Sequence, residues 1–297
     1  NGRGTFIYEG VDTVYTNPDM RIVIGEQAGS EGVFEQRSGH LHAYWGGQPL
    51  IVGEAGRGIY RQLNDTIHNR NETIIGHSAG SDGTYELSGS VDNGYGWIAT
   101  PSYSAQRTVV GDAGIGHILH LSGEFYSEDL IIGRAAGGIG DYQFSGEHLF
   151  AGNLVLGEQA GGEGTLNWTD GQLDVINLRV GRGGTGAFIQ DVGPGNGLYL
   201  QQPDQSLVIG ELAGSDGVFE QRSGDVLAHG LRVTVGDAGR GTYRQLDGLH
   251  DSNEVVIAHL SGSEGRYELT GDTAGLHTTQ RTVVGDDGVG RFVHSAG

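Results

Sequence analysis

The chain of 297 residues contains no cysteine, a single methionine and only five prolines. All 17 of its cationic Lys/Arg positions are arginine. Without cysteine there is no disulfide staple, no thiolate ligand for a metal and no thiol nucleophile. No apolar run approaches the ~20 residues that a membrane-spanning helix needs, so membrane insertion of this segment is not expected. Positive charge is scarce as well: 37 acidic residues give a formal charge of −20. Such a surface disfavours nucleic acid and anionic membranes as partners.

What is abundant is glycine, at 57 residues. Each glycine inside a helix costs roughly 1 kcal/mol, so an ordinary helical domain is excluded. Collagen is excluded too, because no strict Gly-X-Y period runs through the chain. The glycines instead punctuate a repeat. A short apolar run ends in glycine, and a glycine-rich turn and a second run follow. Ile22-Val23-Ile24-Gly25 leads to Gly29-Ser30-Glu31-Gly32-Val33-Phe34, and Leu50-Ile51-Val52-Gly53 leads to Gly56-Arg57-Gly58-Ile59-Tyr60. The first glycine of this phrase recurs at Gly76, Gly111, Gly133, Gly157, Gly181, Gly210, Gly236 and Gly285, with Ala258 in its place once. From Gly25 to Gly285 ten intervals cover 260 residues, a mean of 26.

Two turn lengths alternate. The long form places glycine four and seven residues on (Gly25/Gly29/Gly32); the short form does so three and five residues on (Gly53/Gly56/Gly58). The segment from Gly210 to Gly224 nearly copies Gly25 to Gly39, so a seven-rung block over about 1–180 is partly duplicated in about 181–297. Both ends fall inside the repeat, with no polar capping unit. The expectation is a stack that continues in further repeats or in further copies.

Runs of four to seven residues closed by glycine are strand-length. The sequence therefore predicts an all-β, parallel and right-handed β-solenoid of about 11–12 rungs, forming one segment over 1–297 and open at both ends. Period-two alternation sends Phe34 and Gln36 inward and Glu35 and Arg37 outward. Ile22 and Ile24 face inward in the first run, as do Val233 and Val235, with Thr234 outward. One inward position reads Phe34, Tyr60, Tyr85, Ile118, Tyr142, Leu166, Phe188, Phe219, Tyr243, Tyr267 and Phe292, a candidate structural aromatic ladder. The adjacent outward position alternates in charge, as Glu35, Arg61, Glu86 and again as Glu220, Arg244, Glu268. Gln36 over Gln62, and Gln221 over Gln245, predict amide ladders along the axis.

A catalytic set should stand out as a departure from the repeat, and none does; catalysis is not expected. The histidine pairs His40/His42 and His117/His120 have no evident third ligand, and His77 and His259 fall at equivalent rung positions. Asp82, Asp112, Asp216, Asp237, Asp286 and Asp287 sit in bent glycine-rich turns. Calcium is the ion such oxygens would hold and the one candidate cofactor. Two insertions break the repeat with aromatic residues: His42–Gln48 with Tyr44 and Trp45, and Asp92–Ala105 with Tyr95, Trp97 and Tyr103. These five rings are the candidate contacts for a glycan.

The phrases Leu154-Val155-Leu156-Gly157-Glu158-Gln159-Ala160-Gly161-Gly162-Glu163-Gly164-Thr165 and Gly83-Thr84-Tyr85-Glu86-Leu87-Ser88-Gly89 resemble the glycine-rich β-helical repeats of bacterial autotransporter passengers and of large secreted surface proteins. The resemblance covers essentially the whole chain. It implies secretion to the cell surface or matrix, with a role in scaffolding or adhesion. The expected function is a structural subunit of an extracellular filament, sheath or matrix whose partner is itself. An adhesin passenger that binds glycans is the alternative, and a polysaccharide-degrading β-helix enzyme a lesser one.

Overall fold

The fold is that of a computed structural model, which describes residues 2–295 apart from 17, 18, 20, 44–46, 65, 93–97, 194, 201, 203 and 204. It is a β-solenoid of about 11 turns, all-β, with parallel strands. Twenty-four strands belong to one continuous sheet. Each turn has three walls. Wall A is the short run that closes on the turn glycine, such as Leu50–Val52. Wall B follows the turn, as in Arg57–Leu63. Wall C comes next and continues into the following wall A, as in Ser102–Val110, Glu124–Ile132 and His148–Leu156. Register links each wall to its copy one rung on: Ser102 pairs with Glu124, Glu124 with His148 and His148 with Gln172.

Alternation sets the inside. In Glu124–Ile132, Phe125 and Ser127 point inward; the two residues Glu128 and Asp129 then shift the phase, so that Leu130 and Ile132 become the inward pair. The shift marks the corner between walls C and A. The core holds wall-A Leu, Val and Ile against wall-B rings, and Leu130, Ile132, Leu154, Leu156, Tyr60 and Tyr142 are wholly buried.

Two features of the turns follow from the ~4.8 Å rung spacing. Every one of the twelve wall-B strands has glycine near its start, in register from Gly4 through Gly32, Gly58 and Gly83 to Gly265 and Gly290. From Gly32 on, a Cβ there would come within 3 Å of backbone atoms of wall A. The alternation of turn lengths has a steric reason too. Ser30 of a long turn sits under Gly56 of the following short turn, where a Cβ would come within 2.6 Å of Ser30 Oγ and 2.4 Å of Gln27 O. Ser81 under Gly114, Ser215 under Gly239 and Ser263 under Gly288 repeat the arrangement. Where the two long turns at Gly133 and Gly157 are adjacent, the serine position is Gly138 and Gly162.

Ala258 is the one turn position where alanine replaces glycine, and it keeps the left-handed backbone at φ 61°. Its N–H still donates to Val235 O at 2.9 Å. A left-handed alanine costs ~1 kcal/mol or more relative to glycine. Ala258→Gly is expected to raise stability by about that amount, read as a higher urea midpoint at unchanged slope.

The structure corrects two sequence expectations. The middle residue of several wall-A runs faces outward but is not wetted. Ile51, Ile74, Val109, Ile131 and Val155 form a second apolar row, and Thr234 is buried. The corner at the phase shift makes this part of the surface concave, and the charged residues before and after the run cover it. The inward glutamines are also not bonded to one another. Gln36 Nε2 donates to the carbonyls of Gly39 and Ile67, and Gln62 Nε2 to those of Thr66 and Ser102. Each amide oxygen accepts from the tyrosine hydroxyl on the next rung: Tyr60 to Gln36 (2.8 Å), Tyr85 to Gln62 (2.7 Å), Tyr243 to Gln221 (2.8 Å) and Tyr267 to Gln245 (2.7 Å). The amide N–H groups go to carbonyls at the inner end of wall C, which the closed coil brings within 2.7–3.2 Å.

Candidate functional site

Wall B supplies the columns that the repeat singled out. On its inner side Phe34, Tyr60 and Tyr85 stack at 4.8 Å, and Phe188, Phe219, Tyr243 and Tyr267 at 4.7–4.9 Å. Ile118, Tyr142 and Leu166 carry the column between these two stacks, and Phe292 closes it on Tyr267 at 5.4 Å. Outside, Arg61 lies between Glu35 (3.6 Å) and Glu86 (3.2 Å), and Arg244 between Glu220 (3.6 Å) and Glu268 (3.1 Å). Exposed pairs of this kind contribute ~0.2–1 kcal/mol each, and their larger effect is to fix which rung neighbours which.

Buried histidines complete the inner hydroxyl–amide network. His68 Nε2 accepts from Arg70 Nε (3.0 Å), so its Nδ1–H donates to the Tyr85 hydroxyl (2.8 Å), which in turn donates to Gln62. His250, Tyr267 and Gln245 form the same chain. His120 has the opposite tautomer: Nε2–H donates to Gly123 O (2.8 Å), and Nδ1 accepts from Tyr142 (3.1 Å). Burial pushes His120 down to about 4 and His250 down to about 3, and His68 well below the usual imidazole value. All three are neutral structural groups. Arg70 is the departure from the repeat: its register neighbour is Ala105, which pairs in turn with Ser127. It is 3% exposed, and loss of solvation lowers its pKa.

The concave corner along wall A is a groove of about 370 Å³. Ile131 and Val155 form its floor, with Arg107, Asp129, Asn153 and Asn177 along one rim and Glu158, Arg182 and Glu211 along the other. Most of its polar groups are paired, although Arg107 Nε and Glu211 Oε2 are buried without a hydrogen-bond partner among the described residues. Arg179 Nη1 donates to Ser206 Oγ (2.7 Å), Ser206 to Asn177 Oδ1 (2.6 Å), Asn177 to Asn153 (2.9 Å) and Asn153 to Asp129 (2.7 Å). This one-directional amide relay runs from a cation to an anion across successive rungs. Arg182 pairs with Glu158 (3.3 Å) and Glu211 (3.8 Å) on the far rim.

The acidic turns expected to suit calcium are used in a similar way. Asp112 is held by His77 (2.7 Å) and Arg134 (2.6 Å), Asp286 by His259 (2.9 Å), Asp82 by Arg57 (3.6 Å) and Asp216 by Arg240 (4.0 Å). Each partner lies on an adjacent rung. Among the described residues no group of three or more His, Asp and Glu side chains is placed to hold a metal ion. His117 pairs with Asp141 (3.8 Å), and a hydrogen bond to that carboxylate raises its pKa. His120 points the other way, into the core, so these two do not form a site. His40 and His42 meet edge to face at 6.1 Å.

Of the five rings proposed as ligand contacts, Tyr44, Trp45, Tyr95 and Trp97 lie outside the described residues. Tyr103 is a correction. It is 1% exposed, stacks on Phe125 at 4.2 Å and shares a hydrogen bond with Thr108 Oγ1 at 2.9 Å. Burial raises its pKa to about 12. The insertion is shorter than the repeat suggests: Val91–Asp92 pairs antiparallel with Ile98–Ala99, and the chain rejoins the stack at Ser102, which places Tyr103 on the inner face of wall C.

An exposed pair of stacked rings lies elsewhere, on the outer side of wall C. Tyr126 and Phe150 are register partners, stacked at 4.5 Å with 6° between the planes, and Tyr126 is 43% exposed. Beside them His148 Nε2 meets Asp174 Oδ2 at 2.9 Å, and Gln172 donates to the same carboxylate at 2.9 Å. A sequence signal existed. Phe125 and Tyr126 are consecutive in a strand, so one must face outward, and Phe150 falls at the same rung position.

No protein-family model matches this chain, and no curated protein and no solved structure matches it.

Proposed function

We propose that the chain is a structural solenoid segment of an extracellular filament, sheath or matrix at a bacterial surface, without catalytic activity, and that it extends by stacking rung on rung. The observation that carries this reading is that many of the described ionisable and aromatic groups fall into columns along one axis. The rings of wall B, the Glu/Arg columns outside them, the Tyr–Gln–His chains and the Asn relay all join one rung to the next. A catalytic centre would require a local cluster set apart from such columns.

A rung left uncovered at either end of a stack would supply the means of growth. Phe6, stacked on Phe34 at 5.0 Å, is 57% exposed, and Val289 at the opposite edge is 74% exposed. Edge strands with free N–H and C=O groups are templates for another strand. Further rungs, from this chain or a second copy, would prolong the same ladders.

Electron microscopy and fibre diffraction of the concentrated protein, with and without chelator, test this. The expected result is unbranched fibres with a ~4.8 Å axial reflection that Phe6→Lys shortens or abolishes. Separate rods of roughly 50 Å (about eleven rungs) at every concentration would sink the self-stacking reading. Fibres that dissolve in chelator would place a cation at the junction between copies.

A further inference from the structure

We propose that the outer side of wall C carries a slot for one neutral hexose ring of a polysaccharide, with the free face of Tyr126 as its stacking surface. Phe150 covers only one face of the Tyr126 ring. The other face looks toward the level of Ser104, its register partner on the preceding rung, and the residue one rung further is Asn69. Serine is too short to cover a phenol ring, which is why Tyr126 remains 43% exposed while Phe150 is half-buried.

The spacing defines what fits. Tyr126 and Asn69 are two strand separations apart, roughly 9.6 Å. A ring entering at the Ser104 level lies ~4.8 Å from Tyr126, within the range of stacked rings. It occupies the place where the column Asn69–Ser104–Tyr126–Phe150 would hold a third aromatic residue. The slot is one ring thick and is an aromatic ladder short of one member.

The rim sets the chemistry. The Ser102 and Ser104 hydroxyls lie at that level, the Asn69 amide one rung before it, and the exposed carboxylates Glu124 and Glu128 on the strand of Tyr126 one rung after it. A pyranose offers a C–H face to Tyr126 and hydroxyl groups to this rim. The two carboxylates accept hydrogen bonds from hydroxyls and repel uronate, sulfate or phosphate groups, as does the net charge of −20. An aromatic side chain of a partner protein would leave the rim without hydrogen bonds, at a cost for each group so buried. The hairpin of Val91–Asp92 and Ile98–Ala99 precedes this strand, and Thr100 Oγ1 donates to Glu147 Oε2 at 2.7 Å, which ties its base to the same side of the stack.

The test titrates the full chain with tetrasaccharides of glucose, mannose and galactose, and with oligogalacturonate, by calorimetry and saturation-transfer NMR. Binding to at least one neutral oligomer with Kd of ~1 mM or tighter is expected, with none to the uronate. Tyr126→Ala should weaken it at least ~10-fold. Ser104→Tyr, which completes the ladder from outside and leaves the core untouched, should abolish it at an unchanged or higher melting temperature. Failure of all neutral oligomers to saturate, or binding that survives Ser104→Tyr, overturns the proposal. So does a Tyr126→Ala effect confined to sedimentation behaviour, which would make the pair a contact between copies. Filament formation is read separately with Phe6→Lys, so the two proposals fail independently.

Discussion

Gly140→Ala is expected to lower the stability of the solenoid by about 3 kcal/mol or more and to loosen its middle rungs. A Cβ on Gly140 would lie 2.2 Å from Val110 O and 2.6 Å from Gly133 N. Those two atoms are themselves hydrogen-bonded, Gly133 N donating to Val110 O at 2.8 Å. The methyl group therefore wedges into a backbone bond between rungs, and Ile132 Cγ2 at 2.7 Å blocks its retreat. Relief requires moving one wall relative to another, which disturbs the ladders on both sides. Gly275→Ala is the control. A Cβ there would have Leu249 Cδ1 at 3.6 Å, an ordinary contact, so the change should be nearly neutral. Denaturant unfolding of both variants checks the expectation. Equal midpoints would show that the invariant glycine column has no steric cause.

Acidification from pH 7 to 5 is expected to destabilise the fold by several kcal/mol, before most carboxylates titrate. His120 and His250 are neutral in the folded chain, with pKa values pushed by burial down to about 4 and about 3, and His68 is pushed in the same direction. Unfolded, each returns to about 6.5. Below that pH the unfolded chain takes up protons that the folded chain refuses, so stability falls as pH falls, until the folded values are reached. At pH 5 the difference amounts to ~2 kcal/mol each for His120 and His250, and His68 adds in the same direction. His117 acts in the opposite sense: bonding to Asp141 raises its pKa, so its contribution is present at low pH and fades as pH rises through the folded value. Urea unfolding across this range checks the slope. His250→Phe, which keeps a ring against Tyr243, should reduce it by ~1.4 kcal/mol per pH unit. A flat profile from pH 7 to 5 would mean that these imidazoles are not held neutral.

The two effects come from different levels of organisation, and the sequence reveals them unequally. Glycine five or seven residues after the residue that closes each short apolar run is a sequence fact, and with period-two alternation it dictates strands, parallel stacking and the wall-B columns. Rung identity is equally legible: alternating turn lengths and alternating Glu and Arg permit one order of neighbours. These features are readable because each depends on residues close in the chain, and stacking copies them at a constant separation.

Tertiary structure decided what depends on the distance between walls. The inward position of Gln36 and Gln62 follows from alternation, but their partners follow from the wall-C carbonyls and the tyrosine hydroxyls that the closed coil brings within reach. Tyr103 looked like part of an exposed insertion because the repeat phase is lost after Asp92; the short hairpin restores it and turns the ring inward. Ile131 and Val155 occupy an outward phase yet stay dry, because a two-residue phase shift bends the surface around them. Tyr126 keeps one open face because the rung before it carries a serine at that level. A sequence specifies phase along one strand; whether a given phase meets water, a carbonyl or another ring is set by the coil closing on itself.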